Sequence, residues 1–315
     1  MSADEEKPSL PVSFEQLAEL EDDFEQVDLE VTRHQDKLTK DLYVKREKII
    51  ANIPHFWNSV FEVAPEEFEH AFKETDGELL LSLKSLFVSR FDLPNGDPRS
   101  FSIKWEFEEN EFFEDKVLEK KFIYRQSLKG DVSGLVSEAV KINWKPGKDL
   151  TNGLTDLVLK VEAEEKAGKG DEETEAKKEL KKKIEDTPLG DLSFFTWFAF
   201  RGPRITEEEH KEALKKEEEK RQLRKAGKPV EDDEMEEDDE DEDDLFDKAY
   251  EYEPYPAADD QALCIAEDIW PDAIKLYLQS QEDDMLSDFE DLEDDDEDED
   301  MEDSKAEPAS KKRKA

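Results

Sequence analysis

From Val12 to Ile53 the chain runs for 42 residues without a glycine or a proline, and Pro54 closes the run. Within it Leu17, Leu20, Phe24, Val27, Val31 and Leu38 recur in alternating steps of three and four, and His34 fills the remaining position of the seam. That is the heptad spacing of a helix that packs along another helix. Leu42, Ile49, Ile50 and Ile53 extend the apolar face as far as Pro54. The proline stops the helix, because it disfavours helical geometry in the residue before it. Ser13 followed by Gln16 fits a capping box at the start. About forty helical residues span ~60 Å at 1.5 Å per residue, more than one small core covers. The stripe over 12–53 therefore predicts burial against a second copy of the chain, with His34 setting register and not serving as a ligand.

The charge is as one-sided as the helix is long. Ninety Asp and Glu stand against 45 Lys and Arg in 315 residues, a net charge of −45. Two tracts hold much of the excess: 13 of 14 residues are acidic from Glu231 to Asp244, and 16 of 22 from Glu282 to Asp303. They contain no Lys or Arg, so the remainder of the chain still carries −16. Blocks of like charge with little to bury are expected to be disordered. Sequence-independent binding to nucleic-acid backbone needs clustered cations and is disfavoured, as is an anionic membrane surface; a basic partner is favoured. The chain end reverses sign at Lys311, Lys312, Arg313 and Lys314, a basic tetrad of the kind an import receptor reads. The first residues, MSADEEKPSL, have neither the basic nor the apolar region of a secretory signal. No apolar run approaches the roughly 18 residues of a membrane span.

Between helix and tail lies folding sequence. Phe101, Ile103, Trp105 and Phe107 alternate with Ser102, Lys104, Glu106 and Glu108, the pattern of a half-buried strand. Val117–Arg125 repeats it after an acidic turn, and Lys141–Trp144 is read as a further strand before Pro146 and Gly147. Leu79–Leu93 passes from a helical to an extended pattern and ends in the turn Pro94–Pro98. Short turns between strands imply an antiparallel sheet. Helical signal returns at Phe194–Phe200 and Asp268–Leu278, and these two aromatic segments are the expected cover for the apolar face of the sheet. The fold class is α+β. Two charged stretches, 162–186 and 201–244, read as exposed insertions; the second has Glu and Lys at helical spacing over Thr206–Ala226, ended by Gly227 and Pro229.

Nothing in this pattern points to catalysis. His34, His55, His70 and His210 have no metal-site spacing, and no glycine-rich phosphate loop is present. The acidic tracts lack the glycine-broken spacing of a calcium loop. The single cysteine, Cys264, excludes an internal disulfide and, between Leu263 and Ile265, reads as a buried inert thiol. No cofactor or metal is expected, and the chain does not read as an enzyme.

Three strings occur in a telling order: Phe112-Phe113-Glu114-Asp115-Lys116-Val117-Leu118, Phe194-Phe195-Thr196-Trp197-Phe198 and Asp268-Ile269-Trp270-Pro271. With IPHFWNSVF before them, INWKPGKDLT among them and the acidic tail behind, the chain resembles the nucleosome assembly protein superfamily, its SET branch above all, from about Phe14 to Leu278. It departs from the family's usual Asn-Pro at Asn110-Glu111 and from Asn-Lys-Val-Leu at Asp115 to Leu118. The resemblance implies a homodimer in which an antiparallel pair of long helices carries an α/β "earmuff" domain at each end. The expected division is a disordered 1–11, a dimerisation helix 12–53, an earmuff 54–281 and an acidic tail 282–315.

The resemblance further implies a nuclear histone chaperone. It would hold core histones on the acidic underside of the earmuff, helped by acidic tails, and pass them to DNA. Carried onto this chain, the underside residues are Glu267 and Asp268, with Glu106, Glu108 and Glu109 on the strand and turn before the first string. Asp232, Asp233, Asp238, Asp239, Asp241, Asp243 and Asp244, in an insertion relative to the compact family pattern, would add a second acidic arm or serve as a spacer only. Competing readings are a regulatory partner of a phosphatase or acetyltransferase and a general carrier of basic proteins.

Overall fold

The computed structural model describes residues 14–65, 68, 71–130, 132–170, 172–226, 250–283 and 285. Helix α1, Phe14–Ile50, has 37 residues and is ~55 Å long. It stops three residues short of Ile53. There the chain turns, with Ile53 N–H donating to the Ile50 carbonyl and the Asn52 amide to the Lys48 carbonyl. Ser13 of the expected capping box lies outside the described residues. Helix α2, Phe56–Glu62, buries Phe56, Trp57, Val60 and Phe61.

Helix α3, Glu74–Leu80, leads into the sheet: β1 Leu83–Ser89, β2 Phe101–Phe107, β3 Val117–Gln126 and β4 Ser133–Val136. Each strand pairs antiparallel with the next, in the order β1-β2-β3-β4. The fourth strand is not Lys141–Trp144. That segment makes a single bridge, Phe113 with Trp144, beside bonds from Glu114 N–H to Asn143 and from Lys145 N–H to Phe112. Pro146 stands two residues after Trp144, and a residue without an N–H cannot extend a ladder. The partner of β3 is instead the short Ser133–Val136.

The alternation in β2 predicts its buried side correctly: Phe101, Ile103, Trp105 and Phe107 are all in the core. The turn of 3-10 helix at Phe194–Ala199 covers that side, with Trp105 centred 5.5 Å from Phe194, 6.0 Å from Trp197 and 6.2 Å from Phe198. The second aromatic segment acts elsewhere. Trp270 closes the β1 edge, 5.0 Å from Phe87, 5.1 Å from Tyr43 and 5.9 Å from Trp57. Against it lies Arg46 of α1, its guanidinium 3.9 Å from the Trp270 ring centre and bonded to the Trp270 carbonyl. Glu47 accepts from Ser85 Oγ at 2.8 Å. These contacts root the C-terminal end of α1 in the sheet domain.

The stretch 162–186 is not a loose insertion. Helix α4, Leu154–Glu164, continues through a wide turn, Glu165–Lys169, into the connection to α5, Glu175–Asp186. Ala176, Lys177 and Leu180 of α5 are buried. The sparse apolar residues of this stretch fall on one face together with Lys177, while Lys178, Glu179, Lys181, Lys182 and Glu185 stay exposed on the others. Helix α6, Glu207–Lys225, is capped by Thr206 Oγ1, which accepts from Glu209 N–H. It packs on β3 and α1, and ion pairs join Arg221 and Lys225 to Asp23 and Arg224 to Asp22.

Helix α7, Ala258–Leu263, passes through a widened turn, Cys264–Ile269, into a helix over 270–283. Cys264 is half-buried, not fully buried as expected, because the widened turn spends its inward positions on Ile265, Ala266 and Ile269. No described helix is long and apolar enough to cross a membrane.

Candidate functional site

The acidic residues singled out in the folded part occupy two patches. The first begins on β2. Glu106 is opposite Ser85 in the register, half-buried, and its Oε1 lies 2.7 Å from Lys84 Nζ. The hydrogen bond to Glu106 holds the Lys84 ammonium above its ordinary pKa. Glu108 and Glu109 follow on the turn and are exposed. Asn110 shapes this turn: its Oδ1 accepts from the N–H groups of Phe112 and Phe113 at 2.9 and 3.0 Å. Phe113 is thereby seated between Phe107, centred 5.1 Å away, and Trp144 at 5.7 Å. An Asn side chain offers that local acceptor readily, so Asn110-Glu111 keeps a fixed turn without the family's proline. Asp115 closes it, accepting from Asn143 N–H at 2.6 Å and from its amide at 2.8 Å.

The second patch is at the other end of β1. Ile265, Ala266 and Ile269 point into the core, which turns Glu267 and Asp268 to solvent. Glu267 Oε1 is 3.2 Å from Arg90 Nη2. Arg90 follows Ser89, whereas Glu106 is opposite Ser85. Five residues of strand separate the patches by ~17 Å. The structure does not bring Glu267 and Asp268 together with Glu106, Glu108 and Glu109, and a basic residue answers one acid in each patch. The solvent side of the sheet is mixed: exposed Lys104 is opposite exposed Glu119 in the register. Sequence reading missed both cations. Lys84 is the cross-strand neighbour of Glu106 only once the register is known, and Arg90 is 177 positions from Glu267. It missed Asp36 as well, a half-buried carboxylate on α1 close to the second patch.

The seam of α1 is bare in the single chain. Leu17, Leu20, Phe24, Val27, Val31 and Leu38 are each between 53% and 62% exposed, far beyond scattered surface apolar residues, and His34 is exposed among them. Asp232, Asp233, Asp238, Asp239, Asp241, Asp243, Asp244, Lys311, Lys312, Arg313 and Lys314 lie outside the described residues. Among the described residues no group of three or more His, Cys, Asp or Glu is placed to hold a metal ion.

A long helix rooted by Arg46 and Glu47 at the edge of a four-stranded antiparallel sheet, with aromatic cover and an acidic surface, defines a class already met in other proteins. Residues 18–280 match the nucleosome assembly protein (NAP) family, and the chain belongs to it. A Schizosaccharomyces pombe chain described as a nucleosome assembly protein is 31% identical over 147 residues, which are 44% of this chain and 59% of that relative. Human Protein SETSIP is 33% identical over 179 residues, 56% of this chain and 50% of the relative. The chain thus spans little more than half the length of these relatives. Among solved structures, that of Ccp1 shares the fold with a TM-score of 0.52 at 22% identity, covering 85% of this chain and 95% of that one.

Proposed function

We propose that this protein is a histone chaperone, acting as a homodimer in the nucleus. Membership of the nucleosome assembly protein family across residues 18–280 carries the reading, and the net charge of −45 supports it. The chemistry is competition without catalysis. Exposed Glu108, Glu109 and Asp268, with the tracts Glu231–Asp244 and Glu282–Asp303, neutralise basic surfaces that otherwise seize DNA. Long-range attraction speeds capture and weakens with salt. The bare seam of α1 is the dimer contact, residues 54–281 form the binding domain, 282–315 a tail, and Lys311–Lys314 the import signal. A titration with core histones, in parallel with a basic non-histone protein of matched charge at near-physiological salt, tests the reading. Tighter binding of histones that survives deletion of Glu282–Ala315 supports it. Equal binding of both proteins, lost with the tail, makes the chain a polyanionic carrier.

A further inference from the structure

A groove of about 260 Å³ runs between α1, the end of β1 and the start of the helix over 270–283. It is smaller than the roughly 300–1,000 Å³ of clefts that enclose a cofactor-sized molecule. Its lining is rich in acceptors. Thr32 Oγ1 donates to the Asp28 carbonyl at 3.0 Å and Thr39 Oγ1 to the Gln35 carbonyl at 2.8 Å. Both hydroxyl protons are thus committed, and only the oxygen lone pairs remain for a guest. Asp36 lines the groove between them and has no ion-pair partner among the described residues. Tyr43 and Trp270 form an aromatic wall. The one cation of the lining, Arg90, is engaged through both terminal nitrogens: it donates to the Pro98 carbonyl through Nη1 and to Glu267 through Nη2. Asp36 also borders a neighbouring cleft that holds Arg33, Lys37 and Lys40. Arg33 is taken by Glu30 and the Gly96 carbonyl, and Lys37 and Lys40 are exposed, where water and salt screen them. The groove therefore has carboxylate and hydroxyl acceptors facing a single cation, Arg90, with the Gln35 amide and the Tyr43 hydroxyl as its neutral donors.

We infer that this groove is a socket for one lysine or arginine side chain of a bound basic polypeptide, and that Arg90 is its internal competitor. The inference rests on the chaperone reading and deepens it by naming where a folded contact forms. An incoming ammonium or guanidinium takes Asp36 and the threonine oxygens, then draws Glu267 from Arg90. Its aliphatic stem lies against Tyr43 and Trp270, as long cationic side chains do on apolar surface. Gln35 and Thr39 line both this groove and the apolar seam, so a second copy on α1 would wall the socket on its open side. A partnered cation gains charge-assisted hydrogen bonds that an exposed one does not, which separates this socket from the diffuse attraction of the tracts.

Four variants of the full chain, titrated with labelled core histones at near-physiological salt, test it. Asp36→Asn should weaken binding by about tenfold, the worth of one hydrogen bond to a charged group. Arg90→Gln and Lys84→Gln each remove one positive charge that pairs with a surface acid. Arg90→Gln should strengthen binding clearly more than Lys84→Gln, and the gain should vanish in Arg90→Gln/Glu267→Gln. Equal effects of Arg90→Gln and Lys84→Gln, or unchanged binding by Asp36→Asn, overturn the socket while leaving the chaperone reading intact. Failure of the unsubstituted chain to bind histones overturns both. Because Arg90→Gln also removes the bond to Pro98, thermal melts accompany it, and Asp36→Asn, which breaks no internal bond, decides if that variant unfolds.

Discussion

Lys120 Nζ donates to the Phe200 carbonyl at 2.8 Å from a fully buried position on β3. The same ammonium reaches the carbonyls of Glu138 at 2.9 Å and Phe198 at 3.1 Å. From the other side Glu253 Oε2 accepts from the N–H groups of Arg201 at 2.8 Å and Gly202 at 3.3 Å. Backbone 198–202, just ahead of α6, is thus gripped by a strand and by the segment around Glu253. Burial pulls Lys120 down and pushes the Glu253 carboxyl up from near 4.5 to about 7.

That displacement sets a pH dependence with a definite sign. Between about pH 4.5 and about pH 7 folded Glu253 keeps a proton that the unfolded chain has lost. Its contribution to stability is complete below that window and is lost as pH rises through it. Glu253→Gln removes the titration, so its melting temperature relative to the unsubstituted chain should rise between about pH 5 and about pH 7.5. A difference constant across that range would show that Glu253 does not titrate in the fold.

The seam on α1 predicts a separable change in assembly. Val31 is 57% exposed in one chain, so Val31→Asp costs the monomer little. Between two helices the same carboxylate would be desolvated without a partner, which costs several kcal/mol. Sedimentation velocity should show monomer for Val31→Asp with unchanged helix content. A variant that still sediments as a dimer would place the contact on another face.

Helix α6 should be held to α1 lightly. Arg221 is 3.3 Å and Lys225 3.7 Å from Asp23, and Arg224 is 2.6 Å from Asp22. These pairs are partly exposed, and such pairs contribute about 0–1 kcal/mol each. Asp22→Asn with Asp23→Asn should speed amide exchange over Glu207–Lys225 and leave the sheet protected. Raised salt should act in the same direction. Exchange that does not respond to either would mean that apolar contacts, not charge, seat the helix.

Asp76 carries a larger effect from a single carboxylate. Fully buried on α3, it accepts from Lys73 N–H at 3.1 Å, Ser193 Oγ at 2.5 Å and Phe194 N–H at 2.9 Å, and so aims the aromatic turn at Trp105. Asp76→Ala strands two buried donors and should cost roughly 2–5 kcal/mol in denaturant unfolding. A loss below about 1 kcal/mol would mean that the turn is placed by packing alone.

Periodic features were legible along the chain because each rests on local geometry. Steps of three and four put Leu17 to Leu38 on one helical face, and strict alternation put Phe101 to Phe107 on one side of a strand. The string Phe194 to Phe198 was legible as cover for the apolar face of the sheet and meets Trp105 there, whereas Trp270, expected to join it, packs on Phe87 instead. Composition misled at 162–186, where Ala176 and Leu180 were enough to seat a helix among many Lys and Glu. The fourth strand was misplaced because Lys141–Trp144 has strand-like residues but only one bridge to make.

The candidate site divides in the same way. Sequence alone determined that the chain is strongly acidic, where the tracts lie, that Glu108 falls on the side of its strand pattern away from the apolar residues, and that α1 carries a stripe one chain does not bury. Those properties follow from charge counts and from the 3.6- and two-residue periods of the backbone. Only the tertiary structure decided that Glu106 meets Lys84, that Glu267 meets Arg90, and that Asp36 has no ion-pair partner among the described residues in a groove walled by Tyr43 and Trp270. Charge on a residue is a property of its side chain, whereas its neutralisation depends on strand register and on contacts between residues far apart in the chain, and no local period encodes those.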